Sequence, residues 1–327
     1  MGKKKINQTC IREIALEANV STATVSRVFN RYEHVSPATR KKVMEIAKKG
    51  GYAPNVASTK MLFGILAGGA DNYVIESYKS QMLESISSSL FAMGYNVQIF
   101  SHNLFPYILR NTFRGVFVFS AEDAEFFRKA QIPCVVVNEP APGVCNVATD
   151  HEESLRIAME YLWEQGHRKI AYLHNGTGNW GAMERLKGFH HFLLEAGIEE
   201  KDHLAYGYRN PAKDIPAGIE ILLKEHPTAL IVEGEAKGII ADSTLKKLHI
   251  RIPEDLSLIT FENPLVSSYL VPAHTTVCQD FDKLGKYAAE TMVQYVLETP
   301  KRRKIPPIKF FHNHLIIRQS CRELKKK

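Results

Sequence analysis

Near the start of the chain, apolar residues recur three and four positions apart in two short runs separated by a polar break. In Ile11-Arg-Glu-Ile-Ala-Leu-Glu-Ala18 this spacing predicts an amphipathic helix. In Asn19–Asn30 it predicts a tight turn feeding a second helix, with Val25 and Val28 on one face and Thr22, Ala23, Ser26 and Arg27 toward the other. Ser21 is a natural N-cap for that helix. Asn19 tolerates the positive φ such a turn requires, and the small Ala15 lets the two helices approach closely. A small residue, a turn former and three apolar residues at these offsets make the helix-turn-helix pattern. A third helix is predicted from Pro37 to about Lys49, capped by Ser36 and ended by Gly50-Gly51. Residues 1–60 thus read as a three-helix head on a short tether.

From residue 61 the pattern changes to short apolar runs alternating with longer amphipathic stretches. Strands are predicted at Leu62–Ala67, Tyr95–Phe100, Gly115–Phe119, Pro133–Val137, Lys169–His174, Ala229–Val232 and Leu256–Phe261. Helices are predicted at Glu76–Met93, Glu152–Gln165, Ala182–Ala196, Pro216–Glu225 and Lys237–Leu248. Such alternation over more than 200 residues implies βαβ units in parallel sheets. The units are too many for one sheet, so two doubly wound lobes with a cleft between them are expected.

Charge sharpens the division. Residues 1–60 carry 12 Lys/Arg against 4 Asp/Glu, a net of +8, whereas residues 61–300 carry a net of −10. A basic head on an acidic body fits a nucleic-acid-binding module joined to a domain that avoids phosphate backbones. The tail, 301–327, has a net of +9, of which Lys325, Lys326 and Lys327 read as a solvated end. Cys10, Cys134, Cys145, Cys278 and Cys321 are odd in number and scattered, as suits reduced cytoplasmic thiols. No run of 18 apolar residues occurs and no secretion signal is seen, so neither a membrane span nor a transport role outside the cytoplasm is expected.

The head carries V-S-T-A-T-V-S-R-V-F-N (Val20–Asn30), V-S-P-A-T-R (Val35–Arg40) and G-Y-A-P-N (Gly51–Asn55). The body carries G-H-R-K-I-A (Gly166–Ala171), E-R-L-K-G-F (Glu184–Phe189), I-P-E-D-L-S (Ile252–Ser257) and P-A-H-T-T-V (Pro272–Val277). With these motifs the chain resembles the lactose/galactose repressor (LacI/GalR) family of bacterial transcription regulators over nearly its whole length. The resemblance implies a homodimer whose heads bind a pseudo-palindromic double-stranded operator, and a periplasmic-binding-protein-like core that senses a small effector. It implies three crossings between lobes, so that one lobe comprises 61–149 and 279–300 and the other 150–278 and 301–327. The last strand, Phe310–Ile317, is expected in the second lobe.

In the head, Arg27 has the fork to read guanine, while Thr22 and Ala23 meet base edges. Ser21, Thr24, Ser26, His34, Ser36 and Thr39 are placed for phosphates, with Asn30 and Asn55 completing the expected DNA-contacting set. The linker after Pro54-Asn55 is shorter than the family's, leaving Met61 or Leu62 as the candidate minor-groove wedge. Cys10 stands where Thr or Ser usually caps the first helix, and Gly50 replaces a leucine.

In the cleft, Arg185 matches the family arginine that grips effector hydroxyls or anionic groups. Glu262 takes the place of an aspartate, and Gly234-Glu235 replaces the usual Asn-Asp pair. Asp150 is an effector ligand or simply a helix cap, and Trp180 and Tyr208 are candidate stacking platforms. These departures point to a modified or charged sugar, or a sugar acid. Gly176-Thr-Gly178-Asn-Trp-Gly181 spells G-x-G-x-x-G, which raises a nicotinamide-dependent enzyme as a rival, but no catalytic constellation accompanies it. His312-Asn-His314 offers a metal pair without a partner cysteine or acid. The expectation is therefore a regulator, most simply a repressor, with no cofactor, no metal and no enzymatic activity. Gating by a protein partner, as in catabolite-control regulators, is the alternative to a small effector.

Overall fold

The computed structural model describes residues 11–29, 35–49, 62–68, 77–102, 113–198, 204–234, 236–261, 263–299 and 301–324. The chain divides into two compact units, residues 1–59 and 60–327.

In the head, α1 (Ile11–Ala18), α2 (Thr22–Phe29) and α3 (Pro37–Lys49) enclose a core of Ile14, Ala15, Ala18, Val25, Val28, Val43, Ile46 and Ala47. The expected turn chemistry is present. Asn19 has φ 56°, and its N–H donates to the Leu16 carbonyl at 3.1 Å while that of Val20 donates to Ala15 at 2.9 Å. Ser21 Oγ accepts from Thr24 N at 3.0 Å, and Ser36 Oγ accepts from Thr39 N at 3.2 Å, capping α2 and α3. Arg40 ties α3 to α2 by donating to the Val28 carbonyl at 3.2 Å.

The second unit holds two six-stranded sheets. The first has the order β2-β1-β3-β4-β5-β11, from β1 (Leu62–Gly68), β2 (Asn96–Ser101), β3 (Val116–Val118), β4 (Cys134–Val137), β5 (Cys145–Thr149) and β11 (Lys309–Phe311). The second has the order β7-β6-β8-β9-β10-β12, from β6 (Ile170–Asn175), β7 (Ala205–Tyr208), β8 (Ala229–Val232), β9 (Ser257–Thr260), β10 (Thr275–Cys278) and β12 (His314–Ile316). Among the described residues every ladder is parallel except that of β12 with β10.

Helices cover both faces, which is why the strands read as continuous apolar runs rather than alternating ones. In the first sheet Phe117 packs toward α4 (Ser77–Ala92) and a late helix, Phe281–Leu297, whereas its neighbours Val116 and Val118 pack toward α5 (Ala121–Lys129). In the second, Tyr172 and Ile231 face α6 (His151–Glu164) and α7 (Trp180–Glu195). Leu173 and Val232 face α8 (Pro211–Leu223) and α9 (Lys237–Lys247). The short α10 (Pro264–Ser268) precedes β10, and the late helix is α11 (Phe281–Leu297). Gly188, from the motif E-R-L-K-G-F, lets α7 press on α6, since a Cβ there would lie 2.5 Å from the Glu152 carbonyl oxygen.

Two expectations are corrected. The final stretch is two strands, not one: β11 joins the first sheet beside β5 and β12 the second beside β10. The third crossing therefore falls at His312-Asn313 instead of near residue 300, because each lobe has an open edge that takes a short strand from the same segment. Leu62, one of the two candidate wedges, is the first residue of β1 and pairs with Asn96.

Candidate nucleic-acid interface and effector cleft

On the head, burial of Val25 and Val28 against α1 and α3 turns the other side of α2 outward. Thr22, Ala23 and Arg27 are exposed there, Thr24 is half-buried, and Ser26 belongs to the same helix. A planar, permanently charged fork beside two small side chains on a free helix is the chemistry that reads major-groove edges. Ser21 and Thr24 share a hydroxyl contact of 2.9 Å, and Ser36 and Thr39 one of 2.8 Å. These four groups at helix starts are thus held in place by capping, in a position suited to phosphate. Asn30, His34, Asn55 and Met61 lie outside the described residues.

In the core, a cavity of about 600 Å³ opens where the carboxyl ends of both sheets meet. Its walls are the residues that follow strands: Phe119-Ser120 after β3, Asn138-Glu139 after β4, Asn175 on β6, Glu233-Gly234 after β8, Phe261 after β9 and Gln279 after β10. Strand order reverses between β1 and β3 and between β6 and β8, so this is the switch point at which doubly wound sheets bind ligands. Asn313 closes the wall from the third crossing.

The second lobe supplies a hydrogen-bonded cluster around Arg185. Its Nη2 donates to Glu233 Oε1 at 2.5 Å and its Nη1 to His151 Nδ1 at 2.8 Å. Glu233 Oε2 accepts from Tyr172 Oη at 2.7 Å and from Asn175 N at 3.2 Å. Burial works against the charged guanidinium, but Glu233 outweighs it and holds Arg185 above its ordinary range. Burial, with Glu233 adding to it, drives the Tyr172 phenol well up. Burial and the Arg185 charge drive His151 well below the ordinary histidine value, so its imidazole is neutral. A guanidinium only donates, which makes Nδ1 of His151 the acceptor and leaves the proton on Nε2, beside Gly181 on the cleft wall.

Where the lobes join, Gln279 Oε1 accepts from Asn138 Nδ2 and from Thr149 Oγ1, each at 2.8 Å. Asn138 Oδ1 in turn accepts from Thr149 N at 2.6 Å. Asn313 Nδ2 donates to Ser154 Oγ, and Asp150 N donates to the Phe311 carbonyl at 2.9 Å.

The predicted effector ligands fare unequally. Arg185 is in the cleft, but as part of an ion pair rather than a free grip. Asp150 caps α6, accepting from Glu153 N at 2.9 Å, and is not among the cavity walls. Trp180 also lies off the walls: it meets His151 edge-on at 5.3 Å between centroids and stacks near Phe310 at 6.5 Å. Tyr208 reaches the wall but is 2% exposed, its hydroxyl donating to the Glu233 carbonyl at 2.7 Å, so no open face remains for stacking. Glu235 and Glu262 lie outside the described residues.

Glu233, His151, Asn138, Gln279 and Asn313 were not anticipated. Their one signal in the sequence is position, directly after a strand or at a crossing. The G-x-G-x-x-G stretch does join β6 to α7, but its Asn179 caps that helix by accepting from Ala182 N at 2.9 Å. His312, expected to lack an acidic partner, meets Glu153 Oε2 at 2.6 Å, and Glu153 with the coulombic help of Asp150 raises its pKa.

Known proteins match this arrangement in both units. The profile described as "Bacterial regulatory proteins, lacI family" matches residues 10–55, and that of the "Periplasmic binding protein-like domain" matches residues 159–321. The chain belongs to the LacI family of bacterial regulatory proteins. Among relatives of this LacI-family chain, the HTH-type transcriptional repressor PurR of Aliivibrio salmonicida is 24% identical, over 96% of this chain and 99% of that protein. The probable HTH-type transcriptional repressor ExuR of Bacillus subtilis is also 24% identical, over 96% and 98%. Among solved structures, a complex of the transcriptional regulator CelR with cellobiose aligns with a TM-score of 0.71 at 24% identity, covering 95% of this chain and 99% of that one. The Lac repressor dimer bound to operator and the anti-inducer ONPF aligns with a TM-score of 0.70 at 22% identity, covering 97% and 100%. As a LacI-family member the chain is a DNA-binding transcription regulator and not an enzyme. Among the described residues no helix is long and apolar enough to cross a membrane.

Proposed function

We propose that this protein is a homodimeric, cytoplasmic repressor whose two heads bind a pseudo-palindromic operator, with a small carbohydrate-derived effector in the cleft setting its affinity for DNA. The observation that carries the reading is the pairing of an exposed α2 face, with Thr22, Ala23 and Arg27 free, with a cavity of about 600 Å³ walled by side chains of both lobes. A cavity of that size suits a mono- or disaccharide-sized ligand, and its asparagines, glutamine and neutral imidazole suit hydroxyl groups. Solved relatives bind such partners: CelR is seen with cellobiose and the Lac repressor with operator.

The effector works through unequal affinity for two arrangements of the lobes. Gln279, just after β10 at the second crossing and bonded to Asn138 and to Thr149, the last residue before the first crossing, is positioned to register any change there. Two heads also double the phosphate contacts, which makes operator binding steeply salt-dependent. Selecting operators from a random duplex library and then screening sugars for loss or gain of binding tests the reading. Recovery of two-fold-related half-sites supports it; recovery of a single unrepeated half-site contradicts the dimer.

A further inference from the structure

Five charged side chains line the cleft among the described residues, and three of them are already committed. Arg185 and Glu233 neutralise each other, and Glu139 Oε1 accepts from Ala121 N at 3.3 Å. The remaining two are lysines, one from each lobe. Lys79 stands in the first turn of α4, and Lys237 is the first residue of α9, its stem lying along Gly234. Both are half-buried, and among the described residues neither side chain has a hydrogen-bond or ion-pair partner. A long cation held partly out of water without a counter-charge is unfavourable unless a ligand supplies one. Both helices also present the positive ends of their dipoles to the same space. At the third crossing, Asn313 lines the same cavity, is 8% exposed, and its Oδ1 is a buried acceptor without a donor among the described residues.

We infer that the effector is an anionic carbohydrate derivative. Its negative group is held between Lys79 and Lys237, not by Arg185, while a hydroxyl donates to Asn313 Oδ1. Because the two lysines belong to different lobes, the anionic group itself bridges the cleft, and its charge couples occupancy to the lobe arrangement. Arg185, fixed by Glu233, orients His151 instead and presents its Nε2–H to a ligand acceptor. This inference rests on the proposed effector-controlled repressor and names the class of its effector.

Calorimetric titration of the full chain with matched pairs tests it: galacturonate against galactose for a carboxylate, and glucose phosphate against glucose for a phosphate. The anionic member of at least one pair is expected to bind about tenfold or more tighter than its neutral parent, an advantage that shrinks as salt is added. Lys79→Met and Lys237→Met are each expected to lower that affinity by about tenfold without lowering the urea midpoint of the ligand-free protein. Equal affinity for both members, a panel in which no anionic probe binds, or undiminished binding in both variants overturns the inference. A neutral sugar that binds and alters operator affinity would overturn it while leaving the repressor reading intact. If no probe in the panel alters operator affinity, the effector-controlled reading itself is contradicted.

Discussion

Arg185 and Glu233 form a buried ion pair, Nη2 to Oε1 at 2.5 Å, with side chains 13% and 2% exposed. One residue comes from α7 and the other follows the carboxyl end of β8, so the pair also pins the helix to the end of the sheet that walls the cleft. Each member has further partners, His151 for the arginine and Tyr172 and Asn175 for the carboxylate.

Breaking such a pair from one side strands a charge in a dry site. Arg185→Met is expected to lower the stability of the core by about 3–5 kcal/mol, and Glu233→Gln by a somewhat smaller amount. The double variant is expected to cost about 1–3 kcal/mol less than the two single losses combined. Urea midpoints of the four proteins check this; additive losses would mean the pair is not coupled.

Acid weakens the core in a defined window. Burial, joined by the Arg185 charge, holds His151 well below 6.5. Burial also holds down His167, despite its contact with the Arg322 carbonyl, and His174, despite its contact with the Asn175 carbonyl. The unfolded chain takes up these protons near pH 6.5 while the folded chain does not. Their contribution is thus fully present above that pH and is lost as pH falls from there toward the depressed folded values. Each such histidine adds at most about 1.4 kcal/mol per pH unit to the slope. The exposed His312 beside Glu153 acts in the opposite sense, since its pKa is raised. Unfolding titrations at pH 7.5, 6 and 5 are expected to show falling stability, with a shallower slope for His151→Gln.

Gly188 sits where α7 meets the backbone of α6. A methyl group would lie 2.5 Å from a carbonyl oxygen that cannot step aside, so Gly188→Ala is expected to destabilise the core by about 1–3 kcal/mol despite the gain in helix propensity. Thermal unfolding of this variant checks it, and an unchanged or raised midpoint would show that α6 and α7 separate readily.

These contacts mark how far the sequence could be read. The described helices of the head were legible, because their determinants are local: Asn19 takes the positive φ its side chain permits, and Ser21 and Ser36 cap the helices they precede. Strand β8 was legible because all four of its residues, Ala229–Val232, are buried apolar side chains. Helix α5 was not: Ala121–Lys129 carries Glu122, Asp123 and Glu125 around a narrow apolar side. Strand β5 was also missed, since five residues including Asn146 give no alternation to detect. Nor could the cleft chemistry be foreseen. Arg185 and Glu233 are 48 residues apart, and only the sheet order brings them together. The split of the last strand likewise depends on which sheet edges are open.

In the head, Ser21→Ala removes the acceptor for Thr24 N and is expected to cost about 1 kcal/mol of stability while weakening all DNA alike. Arg27→Ala is expected to leave folding unchanged, since the side chain is exposed, and to cost about 1–3 kcal/mol of operator affinity with relaxed base preference at its contact position. Circular dichroism melts and binding to single-base operator variants separate the two effects.

The central claim is that the exposed face of α2 reads DNA sequence twice, through two-fold-related heads. The direct measurement is fluorescence anisotropy of the full chain on a selected two-half-site duplex and on the same duplex with its half-sites scrambled, at moderate salt. The account predicts preference for the intact site by about a thousandfold or more, collapsing toward non-specific binding when either half-site is scrambled. Equal affinity for the intact and scrambled duplexes would contradict it.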